Sequence, residues 1–488
     1  MNAEHFILAA LVLPLLGALG IALAGKLPNL REGITLATAA ALFACVVQLL
    51  DPVLAGVRPE LVLLEPLPGL ALAFRVEPLG MLFALIASGL WIVNSVYSIG
   101  YMRGNQEKHQ TRFYVCFALS IAAALAIAFA GNLLTLFLFY EVLTLITYPL
   151  VTHAGTDKAK QGGRVYLAIL MGTSVLFLLP AVIYTWHVAG TTDFRPGGIL
   201  PAGMEAGALM ALLALFMFGI GKAALMPFHR WLPAAMVAPT PVSALLHAVA
   251  VVKAGVFSVV KVVVYVFGID TLAGATDWLV AIAGFTIVAA SIVALHADNL
   301  KRRLAYSTVS QLSYVILAAA ILAPLSIIGA ALHIATHALG KITLFFAAGS
   351  IYTAAHKTEV SQLDGIGRRM PWTMAAFGIG ALSLIGIPPF AGFISKWFIM
   401  SGAWATQNML AAAVILASTL LNAAYFLPIL HRAFFRPLSE EAEHHPHGEA
   451  PLPMVIALTC TAGLTIALFF FPDTALRLAE GVAGVVRP

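Results

Sequence analysis

Long apolar runs recur from one end of the chain to the other, separated by short stretches where charged residues, proline and glycine collect. A run of about 20 apolar residues crosses a hydrocarbon core of about 30 Å as a helix. The pattern predicts fourteen spans, near 4–24, 33–50, 78–101, 111–130, 131–153, 164–189, 205–226, 240–268, 274–296, 304–322, 325–354, 372–402, 407–431 and 452–471. Transmembrane barrels instead show alternating segments of about ten residues, and no such pattern is present. The expected fold is an all-α polytopic membrane protein. The first run is too long for a signal peptide and lacks a basic start or a clear small-residue cleavage site, which predicts a retained helix.

Composition agrees with this pattern. The chain has 488 residues, 61% of them hydrophobic and 10% charged. Soluble domains carry roughly a quarter charged residues, so the lipid bilayer is the expected solvent. Cys45, Cys116 and Cys460 lie far apart within apolar runs, which suits neither a disulfide framework nor a metal site.

Charge placement then predicts orientation. With fourteen spans, one set of loops carries 17 basic residues, among them Arg103, Lys158, Arg230, Arg303, Arg369 and Arg436. The opposite set carries 5: Arg58, Arg75, Arg195, Arg477 and Arg487. The positive-inside rule makes the first set cytoplasmic and both termini external, in a cell's inner (plasma) membrane. The net charge of +5 reflects this bias and is no sign of a nucleic-acid partner.

Five basic residues remain inside spans: Lys222, Lys253, Lys261, Lys341 and Lys396. Almost every acidic residue lies in a loop or at a helix end, the exception being Glu141 in LFLFYEVLTLITYP. An ionisable group at mid-membrane costs about 2.5–3.5 kcal/mol on insertion scales and usually faces a partner or a wet cavity. Lys261, near the end of its span, is evenly balanced between a functional group within the membrane and a snorkelling or statically paired one. Lys222 and Glu141 lie many residues from any loop.

In HIATHALGK, His333, His337 and Lys341 recur at i, i+4 and i+8 and stack on one helix face. In the span after Lys222, His247 and Lys253 are six residues apart. A lone buried histidine is more often a satisfied core residue, but two histidines and a lysine on one stripe point to proton transfer. Ser307, Ser310, Gln311 and Ser313 add groups that hold water. A lysine beside a carboxylate changes protonation when that carboxylate moves or is neutralised, and histidine suits the middle of such a relay. The candidate proton-transfer residues are Glu141, Lys222, His247, Lys253, His333, His337, Lys341 and Lys396. No G-x-S-x-G, P-loop, G-x-G-x-x-G or cysteine cluster is present. No cofactor or metal is expected, and the His-rich EAEHHPHGEA reads as a solvated loop.

Pro227 and Pro233 follow Lys222, while Gly386, Pro388, Pro389 and Gly392 precede Lys396. Helix breaks survive at membrane depth only where freed backbone groups meet protein or water. Two broken spans set five apart suggest inverted five-helix repeats. The expected organisation is 1–110 with helices 1–3, 111–268 as the first repeat (helices 4–8), 269–432 as the second (helices 9–13), and 433–488 with the His/Glu-rich loop and helix 14.

Four stretches carry a resemblance: GKAALMPFHRWLPAAMVAPTPVSALLHAVAVVKAGVF, NLKRRLAYSTVSQLSYV, HIATHALGKITLFFAAGSI and GIPPFAGFISKW. They resemble the antiporter-like subunits of respiratory complex I, the large subunits of Mrp-type multisubunit cation/proton antiporters, and those of membrane-bound hydrogenases. The resemblance covers roughly residues 75–435. It implies fourteen core helices, inverted repeats with broken helices, and a hydrated polar axis at the membrane midplane. By matching position it implies that Glu141 is the family's glutamate and Lys222 its partner on the broken seventh helix. His247 and Lys253 take the eighth-helix relay, His333, His337 and Lys341 the central axis, and Lys396 the terminal position, where some members have glutamate. The chain ends after the fourteenth span, without the lateral helix or C-terminal extension of the largest members. A D-type subunit of an Mrp-like antiporter is the leading reading: a proton-conducting subunit moving H+ against a monovalent cation such as Na+, alongside other membrane subunits. A proton-pumping subunit of an oxidoreductase is the alternative, and a non-transporting scaffold a third.

Overall fold

The computed structural model describes residues 3–67, 70–438 and 448–485. Most of the His-rich loop lies outside the described residues. Helices dominate: α1 (Ala3–Leu23), α2 (Pro28–Val47), α3 (Pro78–Gly104), α4 (Gln110–Ala128), α5 (Leu133–Val151), α6 (Asp157–Ala189), α7 (Ala206–Gly219) and α8 (Thr240–Phe267) form the first part. The second comprises α9 (Asp277–His296), α10 (Leu300–Ala320), α11 (Pro324–Ala355), α12 (Pro371–Ile385), α13 (Gly392–Ala405), α14 (Met409–Phe435), α15 (Leu452–Phe470) and α16 (Asp473–Val482).

Among the described residues, 11 helices are long and apolar enough to cross a membrane. They fall on eleven of the expected spans; those near 205–226, 304–322 and 372–402 are the exceptions. Physical reasons are visible for each. The first is cut short where α7 ends at Gly219, and the last is divided into α12 and α13. Helix α10 has the length, at 21 residues, but carries Lys301, Arg302, Arg303 and a polar Ser/Thr/Gln face. The chain is therefore a multi-pass helical membrane protein.

Burial separates the helices into an inner and an outer group. The most apolar window of α8 is 100% buried and that of α11 94%, against 39% for α1 and 28% for α2. Helices α1 and α2 therefore turn much of their surface outward from the chain, while α8 and α11 are surrounded by protein, where polar side chains meet protein groups rather than hydrocarbon. Helix α11 packs against α3, α8, α10, α12, α13 and α15, which makes it the hub. Helix starts are set by proline in the first turn of α2, α3, α11, α12 and α15. Asn132, Asn299 and Asn408 cap α5, α10 and α14 through their side-chain oxygens.

Two features depart from the sequence expectation. Residues Glu60–Leu67 (β1) and Leu70–Arg75 (β2) pair as an antiparallel hairpin between α2 and α3. Second, Glu77, at the start of α3, is buried and pairs with the buried Lys261 of α8. Glu141 is thus not the only acid within the membrane-facing body.

Candidate functional site

The unpaired cations of the inner helices form the site. Lys222 lies in the break itself: α7 ends at Gly219, a 3-10 turn covers Gly221–Ala223, and Ala224 takes a left-handed conformation with φ +55°. The break frees backbone and presents the lysine to α5. Its ammonium donates to the Tyr140 carbonyl at 2.8 Å and to the Thr144 hydroxyl at 2.5 Å, and stands 3.3 Å from the centre of the Tyr140 ring. The Tyr140 hydroxyl accepts from the Lys222 backbone N–H at 3.0 Å.

Glu141, expected to contact Lys222 directly, does not hydrogen-bond to it. Among the described residues its two buried carboxylate oxygens make no well-aligned hydrogen bond, and Lys222 and the Ser174 hydroxyl are its polar neighbours. It sits beside the exposed Leu138, Val142 and Leu145 on α5. Tyr140 and Thr144, adjoining and three residues beyond Glu141, supply the contacts that sequence reasoning left out. Their i, i+4 spacing places both on the face toward Lys222.

Helix α8 carries His247 in a π-helical turn, Leu245–Val249, and Lys253 in regular helix beyond it. Such π turns commonly mark functional positions because they redirect side chains. Both His247 ring nitrogens are buried and unpartnered, and its ring lies 4.7 Å from that of Phe345. The Lys253 amine reaches His337 Nδ1 at 2.5 Å, leaving His337 Nε2 buried without a partner.

The stripe predicted on α11 is present. The His333 and His337 rings are 5.8 Å apart. His333 bridges the Gln311 side-chain oxygen at 3.1 Å and the Ser395 hydroxyl at 2.9 Å, linking α10 to α13. Lys341 donates to the Ser307 hydroxyl at 2.7 Å and the Leu304 carbonyl at 3.2 Å. Ser307 continues to the Tyr425 hydroxyl at 2.9 Å, which donates to Asn422 at 2.5 Å.

The second break repeats the logic of the first with the lysine on its far side. Gly386 ends α12 at φ +92°, and α13 begins at Gly392. From α13, the Lys396 ammonium donates to the carbonyl of Ile385 at 3.0 Å. That carbonyl belongs to the C-terminal, partially negative end of α12, where a cation is stabilised. Lys396 also stands 4.8 Å from the Tyr314 ring, whose centre is 5.6 Å from that of His333.

Three local clusters therefore emerge from the eight predicted residues: Glu141 with Lys222; Lys253 with His337 and His333; and Lys396 beside Tyr314. His247 and Lys341 flank the middle group. Lys261 stands apart with Glu77. Tyr140, Thr144, Ser395, Tyr314, Tyr425 and Asn422 complete the hydrogen-bonding frame, and nothing in their spacing alone separates them from ordinary buried hydroxyls and amides. No group of three or more metal-ligating side chains occurs among the described residues.

Fold and site define a class: a polytopic helical membrane protein whose inner helices hold buried titratable groups between two helix breaks. The chain belongs to the NADH:quinone oxidoreductase/Mrp antiporter transmembrane family, whose profile matches residues 130–422. It is 32% identical over 385 residues to the N-type subunit of the NADH-quinone oxidoreductase of Desulforudis audaxviator, covering 78% of this chain and 75% of that protein. It is 28% identical over 408 residues to the D-type subunit of the Na(+)/H(+) antiporter of Alkalihalophilus pseudofirmus, covering 82% of this chain and 81% of that one. Its fold matches a chain of the Mrp complex from Dietzia sp. with a TM-score of 0.82 at 21% identity, over 97% of each chain.

Proposed function

We propose that this chain is the proton-conducting subunit of a multisubunit monovalent cation/proton antiporter, working beside other membrane subunits. Protons move along Glu141, Lys222, His247, Lys253, His333, His337, Lys341 and Lys396, with hydroxyls and water between them. The observation that carries this reading is the Lys253–His337 hydrogen bond at 2.5 Å, which joins the two most enclosed helices through groups that both accept and release protons. A static pair would set an acid against the lysine, as Glu77 does for Lys261. A base against a base instead shares one proton between two acceptors. The similarity to the Na(+)/H(+) antiporter protein supports Na+ as the exchanged cation.

The finer architecture belongs to the same proposal: fourteen crossings, counting the broken spans and α10, with inverted repeats over 111–268 and 269–432. The basic loops face the cytoplasm and both termini the outside of the inner membrane. Antiport measured in vesicles carrying the whole complex tests the reading. Lys222→Ala and Glu141→Ala each abolish exchange if it holds; exchange unchanged in both sinks it. The similarity to the NADH-quinone oxidoreductase protein favours a second reading, a proton-pumping subunit of a redox complex. Subunits co-purifying with the chain separate the two: iron–sulfur and quinone-reacting proteins for the pump, small membrane proteins for the antiporter.

A further inference from the structure

We propose that Asn422 and Tyr425 of α14 are positioning residues that carry the geometry of the second helix break to Lys341, ordering its hydrogen bonds so that they hold the ammonium and leave the neutral amine unsatisfied. The proposal rests on the proton-conducting reading above.

The order starts at the break. Leu384 and Ile385 are the last residues of α12, and Pro388 and Pro389 stand four positions beyond them. A continuing helix would turn the N–H groups of those two positions to the Leu384 and Ile385 carbonyls, and proline has no N–H. Side chains meet the two carbonyls instead. Lys396 donates to that of Ile385 at 3.0 Å, and the Asn422 amide to that of Leu384 at 3.4 Å. Adjacent carbonyls of one helix end thus hold a lysine of the proton path and the first member of a buried chain.

A carbonyl only accepts, so Asn422 turns its NH2 toward Leu384 and its Oδ1 away. That oxygen accepts from the Tyr425 hydroxyl at 2.5 Å, which commits the one phenolic proton. The Tyr425 oxygen is left to accept from the Ser307 hydroxyl at 2.9 Å, and the Ser307 oxygen to accept from the Lys341 amine at 2.7 Å. The other Lys341 partner, the Leu304 carbonyl at 3.2 Å, also only accepts. Every one of these hydrogen bonds therefore runs away from Lys341, through three completely buried side chains.

An ammonium has only protons to give, and both partners take them. A neutral amine carries a lone pair that neither partner satisfies. Were the Tyr425 hydroxyl absent, Ser307 could turn and donate to the amine, serving both states alike. The amide also closes the chain as a conductor, because an amide oxygen is too weak a base to take a proton onward. The remaining charged and titratable groups facing Lys341 are Lys253 and His247 of α8 and His337 of α11. Arg303 of α10 lies behind Tyr425 and donates to its backbone carbonyl at 2.9 Å. Among the described residues none of these four hydrogen-bonds to the Ser307 or Tyr425 hydroxyl, so the order is set from the Asn422 end.

The test reads proton flux against pH in vesicles carrying the whole complex, scaled to the amount of assembled chain. The alkaline limb of that profile marks the pH at which the path stops holding protons. Tyr425→Phe removes one buried oxygen and frees Ser307. Asn422→Leu acts from three hydrogen bonds away, with Tyr425 and Ser307 intact. Each is expected to move the alkaline limb toward acid by about one pH unit, the tenfold change that a hydrogen bond to a charged group commonly carries. Asn422→Asp keeps an acceptor for Tyr425 and adds a negative charge, so its limb stays in place or moves the opposite way. A limb unmoved in Tyr425→Phe or in Asn422→Leu, whatever the loss of flux, overturns the proposal, as does Asn422→Asp shifting like Asn422→Leu. Where the Asn422 variants fail to assemble, Tyr425→Phe decides alone. Lys222→Ala and Glu141→Ala are the separating controls. Flux surviving both defeats the proton-conducting reading itself, whereas flux lost there with the limb unmoved by Tyr425→Phe defeats only the positioning role.

Discussion

Lys253 and Lys261 lie eight residues apart on one helix and meet opposite surroundings. Lys261 is enclosed by Glu77 and the rings of Phe194 and Tyr265, at 4.5 and 4.7 Å. Such a pair is costly to break, because removing one member strands the other charge; losses of about 3–5 kcal/mol are typical. Lys261→Ala should therefore lower the thermal unfolding midpoint of the purified protein sharply, and Lys261→Ala with Glu77→Ala should recover most of the loss. A double variant no better than the single one refutes the static pairing. The sequence left Lys261 evenly balanced because Glu77, at the first turn of a span, looks like any interfacial acid; only the fold turns it inward. Lys222, by contrast, was legible as an isolated cation, but its Tyr140 and Thr144 partners were not, since a hydroxyl in an apolar run carries no cost that marks it out. A second prediction concerns His153, which follows α5. Its folded pKa, about 4, lies below the ordinary value of 6.5. Between those values the unfolded chain binds a proton that the folded one refuses, so its contribution is complete above about 6.5 and is lost as pH falls to about 4. His153→Gln should flatten the pH dependence of stability in that window, as read from thermal unfolding at pH 4.5 and 7.

At the scale of elements, the two helix breaks set the positions of the lysines. Gly386 adopts φ +92°, and a Cβ there meets the Lys396 side chain at 2.8 Å. Gly386→Ala should thus cost about 1–2 kcal/mol through backbone strain and also displace Lys396 from the Ile385 carbonyl. In the first break the same region of backbone space is held by Ala224, at φ +55°, so Ala224→Gly should be neutral or stabilising by up to about 1 kcal/mol. Comparative unfolding midpoints check both: if the two substitutions shift stability equally, the breaks are not set by these conformations. Proline and glycine made both breaks legible, because each removes a donor or a side chain in a way visible residue by residue. The β1–β2 hairpin was illegible for the converse reason. Its strands are only 8 and 6 residues long and merge with flanking apolar helices, and a window sized for a membrane span averages such a feature away. Helix α10 shows the opposite limit: its polar face lowers its apparent hydropathy, and that face is met by Ser291 of α9, His333 and Lys341 of α11 and Tyr425 of α14.

Across the whole molecule, the buried cations work against the fold that contains them. Lys253, Lys341 and Lys396 are buried side chains, the first two on the enclosed α8 and α11, and among the described residues no carboxylate is hydrogen-bonded to any of them. Each imposes a desolvation cost, about 2.5–3.5 kcal/mol on insertion scales, that histidine, hydroxyl and carbonyl partners offset only in part. Sites that do chemistry commonly carry such costs, and replacing them gains stability while losing activity. Lys253→Met fills the same volume without the charge, leaving His337 Nδ1 free to take up water. It should therefore unfold at the native temperature or above while proton flux falls to background. Lys341→Met adds to the effect in the same direction, since the two lysines repel each other across the stripe. The opposite outcome, instability in both variants with flux retained in the folded fraction, would mean that these lysines hold the helices together rather than carry protons between them. Unfolding midpoints and vesicle flux measured on the same preparations decide between the two, because a scaffold and a conductor predict opposite signs for one quantity.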